Sequence, residues 1–249
     1  MRRLKFLSPL VLGFLMLTAS SVFAIPVELE LILLVDVSGS VDATEYNLQK
    51  KGYVDAFNNP TIQSNIASFA SSGGIAVAFA EWSSTGNQIM LVNWTQISTA
   101  AQAAAFGAAI NATPRPFGGG NTAPGSAVNW GVPLFNNAFE GDRKVIDISG
   151  DGRQNDGDST SGAVAAAYSS GIITNGLAIL GEANLQTWYQ DNIVTPGHGT
   201  LWVANDFGDF GTAVAAKIGQ EIVGVPEPAT LLVLAGGLLG FGLIQRRVK

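Results

Sequence analysis

The chain contains no cysteine and a single histidine, His198. Without thiols, neither a disulfide framework nor a thiolate metal site can form, so stability must come from packing. One histidine also excludes the His-rich sites that suit zinc or copper. His198 itself sits in Pro196-Gly197-His198-Gly199, a turn composition, and reads as a solvated loop position. Charge is sparse, at 13% of residues, and one sign dominates. Six of the 13 bases (Arg2, Arg3, Lys5, Arg246, Arg247 and Lys249) lie at the two ends, where Glu227 is the sole acid. Residues 25–224 therefore hold 18 acids against 7 bases. So acidic a segment excludes nucleic acid and anionic lipid as natural ligands and suits a cation or a basic partner. No Gly-x-Ser-x-Gly elbow and no phosphate-loop signature occurs, which removes the common hydrolase and nucleotidase motifs.

What is present is enough for one core: 249 residues, 47% of them hydrophobic, fit one domain plus processing segments. Arg2, Arg3 and Lys5 precede the apolar run Leu10–Leu17 and then Val22-Phe23-Ala24, which reads as a secretion signal cleaved after Ala24. The run is shorter than the ~20 apolar residues a bilayer span needs. At the other end Val225-Pro226-Glu227-Pro228 precedes an apolar stretch, Leu231–Ile244, and then Arg246-Arg247. Motif, short membrane helix and basic stop, in that order, resemble the PEP-CTERM sorting signal of Gram-negative bacteria. That resemblance implies recognition by an exosortase and transient contact with the inner membrane before the protein reaches the periplasm, outer surface or extracellular matrix. The expected organisation is a signal peptide at 1–24, one domain at 25–224 and a sorting tail at 225–249.

Within the domain, Leu29–Val35 is a near-continuous apolar run ending at Asp36, the pattern of a strand buried on both faces of a parallel sheet. Helices are expected at Ala43–Asn58, stopped by Asn58-Asn59-Pro60, at Ser98–Ile110, at Pro124–Phe135, at Thr160–Ser169, at Leu185–Ile193 and at Phe207–Val223. Further strands are expected at Ile75–Ala80, Ile89–Val92, Lys144–Ser149, Ile172–Leu180 and Leu201–Val203. The short Ser83–Asn87 link makes the second and third strands a hairpin. Strand and helix alternate, so the expected fold class is α/β, a doubly wound and mostly parallel Rossmann-like sheet with one antiparallel edge strand. Trp82, Trp94, Trp130, Trp188 and Trp202 fall in or beside these elements and read as core rather than as a carbohydrate platform.

Ligands of such sheets sit outside the carboxyl ends of the strands. Asp36-Val37-Ser38-Gly39-Ser40 follows the first strand, Thr122 follows Gly118-Gly119-Gly120, and Asp151 follows the Lys144–Ser149 strand. Alternation along an extended segment lets Asp36, Ser38 and Ser40 converge. Hydroxyls and carboxylates are hard donors that match Mg²⁺, Mn²⁺ or Ca²⁺. The same Asp-x-Ser-x-Ser can also be a strand-to-helix link whose hydroxyls cap the helix.

The five residues together resemble the metal-ion-dependent adhesion site of von Willebrand factor type A domains. The resemblance implies Ser38, Ser40 and Thr122 as direct ligands of a divalent cation, magnesium foremost. It implies Asp36 and Asp151 as ligands or as acceptors of ion-bound water, and a partner's carboxylate completing the shell. Phe79-Ala80-Glu81-Trp82-Ser83 and Val145-Ile146-Asp147-Ile148-Ser149-Gly150-Asp151-Gly152 look like a bacterial subfamily of unassigned function.

Glu81, at the end of its strand, is either an acceptor behind the ligands or a solvated acid. Asp147, inside an apolar strand, is read as a structural hydrogen-bonding residue, because an unpartnered buried carboxylate is costly. Asn155, Asp156 and Asp158 form either an accessory calcium loop or a solvated acidic one. The expectation for function is a surface binding module that engages an acidic group on a protein or polysaccharide, and no enzyme. Two alternatives stand beside it: a metal-assisted hydrolase of phosphate or glycan, and a structural coat protein whose site stays vacant.

Overall fold

A computed structural model of the protein describes residues 24–224. The leader read at 1–24, all but its last residue, and the sorting tail read at 225–249 lie outside the described residues. The first strand, β1 (Ile25–Asp36), shows why an unbroken apolar run is needed at the centre of a sheet. Leu29, Leu31, Leu33 and Val35 enter one core layer while Ile32 and Leu34 enter the other, and all are buried. Each such side chain contributes roughly 1.5–3 kcal/mol by leaving water.

β1 is flanked in parallel by β2 (Ile75–Trp82) and β4 (Phe139–Gly150). β3 (Gln88–Ile97) returns antiparallel to β2, across a turn in which Ser83 N–H donates to Asn87 O at 3.0 Å. With β5 (Ile173–Ile179) and β6 (Leu201–Ala204) in parallel, the six-stranded order is β3-β2-β1-β4-β5-β6. The doubly wound sheet and its antiparallel edge are therefore as expected.

Helices cover both faces. α1 (Ala43–Asn58), α2 (Pro60–Ser68), α3 (Ala100–Ala112) and α7 (Phe210–Val223) build one layer. On the other lie α4 (Pro124–Gly131), α5 (Thr160–Ser169) and α6 (Leu185–Asn192). α1 is started by a capping box, in which Asp42 Oδ1 accepts from Thr44 N and Glu45 N while Glu45 Oε2 accepts from Asp42 N. Gly52 lets α1 meet α7 closely, since a Cβ there would come within 2.8 Å of Phe210 Cδ1. Trp82 is fully buried, and the other four tryptophans pack against one core or the other.

Several boundaries differ from the sequence reading. Asn59-Pro60 does end α1, but it also begins α2: Asn59 Oδ1 accepts from Thr61 N at 2.9 Å and Pro60 takes the first helical turn. β4 begins five residues before Lys144, at Phe139, where pairing with β1 overrides a polar composition. The Pro124–Phe135 helix is α-helical to Gly131 and tightens to a 3₁₀ turn over Val132–Phe135, around Pro133. α7 starts at Phe210, three residues later than read. Among the described residues no helix is long and apolar enough to cross a membrane; the short helix read at Leu231–Ile244 lies outside them.

Candidate functional site

The carboxyl edge of the parallel strands gathers the oxygen-bearing residues. Asp36 is the last residue of β1, fully buried, and its Oδ1 accepts the Ser38 N–H at 2.8 Å, bending the chain so that Ser38 turns inward. Ser38 Oγ lies 3.3 Å from Ser40 Oγ and accepts from Thr122 Oγ1 at 3.3 Å. Ser40 Oγ donates to Asp151 Oδ1 at 2.6 Å. Thr122, Ser38, Ser40 and Asp151, from three separate segments, thus form one continuous hydrogen-bonded run, with Asp36 joined to it through the Ser38 backbone.

The loops are held by their backbones. Gly39 N–H donates to Gly120 O at 2.9 Å, and a Cβ on Gly39 would stand 3.0 Å from that same oxygen. Gly120 has φ of +120°, which favours glycine. Thr122 is clamped by Asn155, whose Oδ1 accepts the Thr122 N–H at 2.8 Å while its own N–H donates to Thr122 O at 3.0 Å.

Burial marks the two carboxyls. Burial lifts Asp36 to about 7, helped by the charge of Asp151 and opposed by the Ser38 N–H and by Arg115. Burial also raises Asp151, while the Ser40 hydroxyl pulls it back. Asp36 Oδ2 is buried without a hydrogen-bond partner, as is the Tyr189 hydroxyl. β4 passes close beside both: a Cβ on Gly150 would fall 2.6 Å from Tyr189 Oη and 2.7 Å from Asp36 Oδ2.

Three clustered hydroxyls, a second carboxylate and an orphaned buried carboxylate oxygen fit a small hard cation. Among the described residues no group of three or more His, Cys, Asp or Glu side chains converges. The candidate site is therefore one of hydroxyls plus two acids rather than of charged ligands alone. Beside it opens a cleft of about 470 Å³, with Ser40, Thr122 and Asp151 on its wall and Glu45, Glu182 and Asp206 around it.

Other residues singled out from the sequence go elsewhere. Glu81 pairs in register with Val35 and so faces the layer opposite to Asp36. It makes no hydrogen bond to the five residues. Burial raises it to about 7, against Tyr46, Lys50 and Arg115. Asp156 accepts from Thr85 N and Gly157 N, and Asp158 accepts from Ser126 and Asn129. With Asn155 on Thr122, the three side chains serve separate hydrogen-bond partners. Asp147 makes no hydrogen bond with its carboxylate oxygens and instead contacts Lys217. His198 pairs with Tyr168 at 2.7 Å, next to the turn at the start of β5 and hence at the sheet's opposite edge.

Arg115 is a residue beside the candidate site that sequence reading missed. Its Nη2 donates to Val37 O at 3.1 Å and Val41 O at 2.7 Å, bracketing Ser38-Gly39-Ser40, and its guanidinium lies over the Tyr46 ring. Because the grip is on backbone carbonyls far along the chain, no side-chain motif announces it.

A family model described as a protein of unknown function, DUF1194, matches residues 26–226, and the PEP-CTERM protein-sorting motif matches 224–247. No curated protein matches the chain in sequence. Among solved structures, proximal thread matrix protein 1 from the mussel byssus aligns with a TM-score of 0.59 at 16% identity, over 80% of this chain and 48% of that one. The same mussel protein has also been solved with a zinc-occupied MIDAS motif. The pilus adhesin SpaC from Lactobacillus rhamnosus GG aligns at 0.58 and 17% identity, over 79% of this chain and 30% of that one. A von Willebrand factor type A protein from Catenulispora acidiphila aligns at 0.52 and 14% identity, over 78% and 43%. The chain thus spans about half or less of the length of these neighbours, and at such identities the likeness establishes a shared fold.

Proposed function

Since the chain belongs to the DUF1194 family, carries a PEP-CTERM motif and shares its fold with von Willebrand factor type A proteins, we propose that it is an exported binding module that engages its partner through a divalent cation. The observation that carries this reading is the run Thr122–Ser38–Ser40–Asp151, with the unpartnered Asp36 oxygen behind it. Ser38, Ser40 and Thr122 would hold the ion directly, and Asp36 and Asp151 would bind it or its water. Mg²⁺ is the best match to a compact hydroxyl set, with Mn²⁺ and Ca²⁺ as the alternatives.

An ion held mainly by neutral hydroxyls stays electrophilic, so a carboxylate on a protein or polysaccharide gains by completing its shell. The ring of Glu45, Glu182 and Asp206 around the cleft would repel an extended polyanion and favours a partner that places an isolated carboxylate beside basic groups. The neighbours support the reading in kind, one being an adhesin and another a matrix protein with an occupied MIDAS motif. Residues 1–24 would direct export. Residues 225–249 would be handled by an exosortase at the inner membrane, leaving the domain at the cell surface or in the matrix. No histidine stands near the cleft to serve as a base, and the reading carries no reaction.

Calorimetric titration of the purified protein with Mg²⁺, Mn²⁺ and Ca²⁺ tests the proposal. Saturable binding of one ion, lost in Ser38→Ala and Asp151→Ala proteins of unchanged circular dichroism, is the expected result. Absence of heat with all three ions removes the proposal.

A further inference from the structure

A second polar cluster lies in the opposite half of the core, away from the carboxyl edge. α7 carries Lys217 and Glu221 one turn apart on its buried face, among Val214, Ile218 and Ile222. Asp147 projects into the same layer from the middle of β4, between Val145 and Ser149. Lys217 and Asp147 are 0% exposed and Glu221 is 4% exposed. The Lys217 amine touches the Asp147 carboxyl and lies 3.3 Å from Glu221 Oε1. The ring of Trp202 lies 5.6 Å from the amine.

Two features distinguish this arrangement from an ordinary buried ion pair. Apart from the amine, neither oxygen of Asp147 has a hydrogen-bonding partner, although a carboxylate kept charged in a core is normally surrounded by donors. Glu221, by contrast, is carefully positioned: Asn175 Nδ2 donates to its Oε1 at 2.8 Å, and Arg143 ties down its backbone oxygen at 2.7 Å and that of Ile222 at 2.8 Å. Transfer of one proton from the Lys217 ammonium to the Asp147 carboxylate it touches turns the ion pair into a neutral amine and a carboxylic acid without changing the proton count of the cluster. Burial moves Lys217 toward its uncharged, nucleophilic form, while Glu221 opposes that shift.

We propose that Lys217 and Asp147 condense into an intramolecular isopeptide bond, with Glu221 as the catalytic proton carrier. The neutral Lys217 amine attacks Asp147 Cγ and a C–N bond forms. Glu221 takes a proton from the nitrogen and returns it to the departing hydroxyl, and the C–O bond breaks. An amine and a carboxylic acid become one secondary amide and one water, with no change of oxidation state and no co-reactant. The product replaces two buried charges by a neutral amide, removing a desolvation cost that an ion pair would retain. In a chain without cysteine it is also the cross-link open to an exported protein. It pins α7, the last described element before the sorting motif at 224–247, to a central strand. A load passing between tail and cleft therefore could not peel α7 away.

Mass spectrometry of the denatured full chain, with tryptic mapping, tests this without reference to metal binding. The expected result is a mass lower by one water. The peptide Val145–Arg153 should be recovered joined to the peptide that begins at Gln154 and contains Lys217, with no cleavage after Lys217. A Glu221→Gln protein that is folded by circular dichroism should give the two peptides separately at full mass. Folded wild-type protein with separate peptides and normal cleavage after Lys217 overturns the proposal, as does a water loss confined to Val145–Arg153. Condensation persisting in Glu221→Gln overturns the role given to Glu221.

Discussion

Residue types announced the candidate ligands, because hydroxyls and carboxylates just past strand ends can be read directly from the sequence. What they rest on was not announced. Arg115 acts on the ligand loop through Val37 O and Val41 O, so Arg115→Ala leaves every candidate ligand in place yet frees the segment that carries two of them. Cation affinity by calorimetry should fall about tenfold, ~1.4 kcal/mol, with the fold retained. Gly150 offers a second test. A methyl group there would meet Tyr189 Oη and Asp36 Oδ2 at under 3 Å, and overpacking of this kind costs about 1–3 kcal/mol. Gly150→Ala should therefore lower the thermal midpoint and weaken cation binding together, seen in paired melting and titration experiments. Glu81 shows how a one-residue step in a strand defeats reading by proximity: it stands beside the site in sequence register and on the other face of the sheet.

At the scale of elements, the continuous apolar runs made β1, β2 and β5 legible, since a strand with both faces in a core tolerates no polar alternation. β4 was legible only in its second half. Its first half, Phe139–Arg143, is specified by pairing to β1, which is information held in another strand. α2 was hidden because Asn and Pro serve equally to stop one helix and to start the next. Its cap is testable: Asn59→Ala removes the acceptor for Thr61 N and should cost about 1 kcal/mol, measured by denaturant titration, with α1 unaffected. The contact between α1 and α7 is stricter, because Gly52 faces the Phe210 ring.

For the whole molecule, the buried acids make stability depend on pH in a determinate direction. Glu81 is raised from 4.5 to about 7 in the fold, so the folded state holds its proton more tightly than the unfolded chain does. Its neutral form is present in both states below about 4.5. As pH rises from there the unfolded chain ionises first and stability is lost, and the loss is complete above about 7. Glu81→Gln should accordingly melt higher than wild type at pH 8, by up to about 3 kcal/mol, and nearly equal to it at pH 4, read from melting curves in chelator. A cation at a hundred times its dissociation constant should add about 2.7 kcal/mol, visible as a rise in melting temperature of several degrees that chelator reverses. A site that stays vacant gives no such rise. By itself the sequence determined the α/β alternation, the buried strands and which oxygen-bearing residues lie past their ends, because hydrophobic pattern and strand termini are local properties. Only the tertiary structure decided the face on which Glu81 sits, the grip of Arg115, and the meeting of Lys217, Asp147 and Glu221. Those depend on which strands and helices become neighbours, and pairing between distant segments leaves no mark in either segment alone.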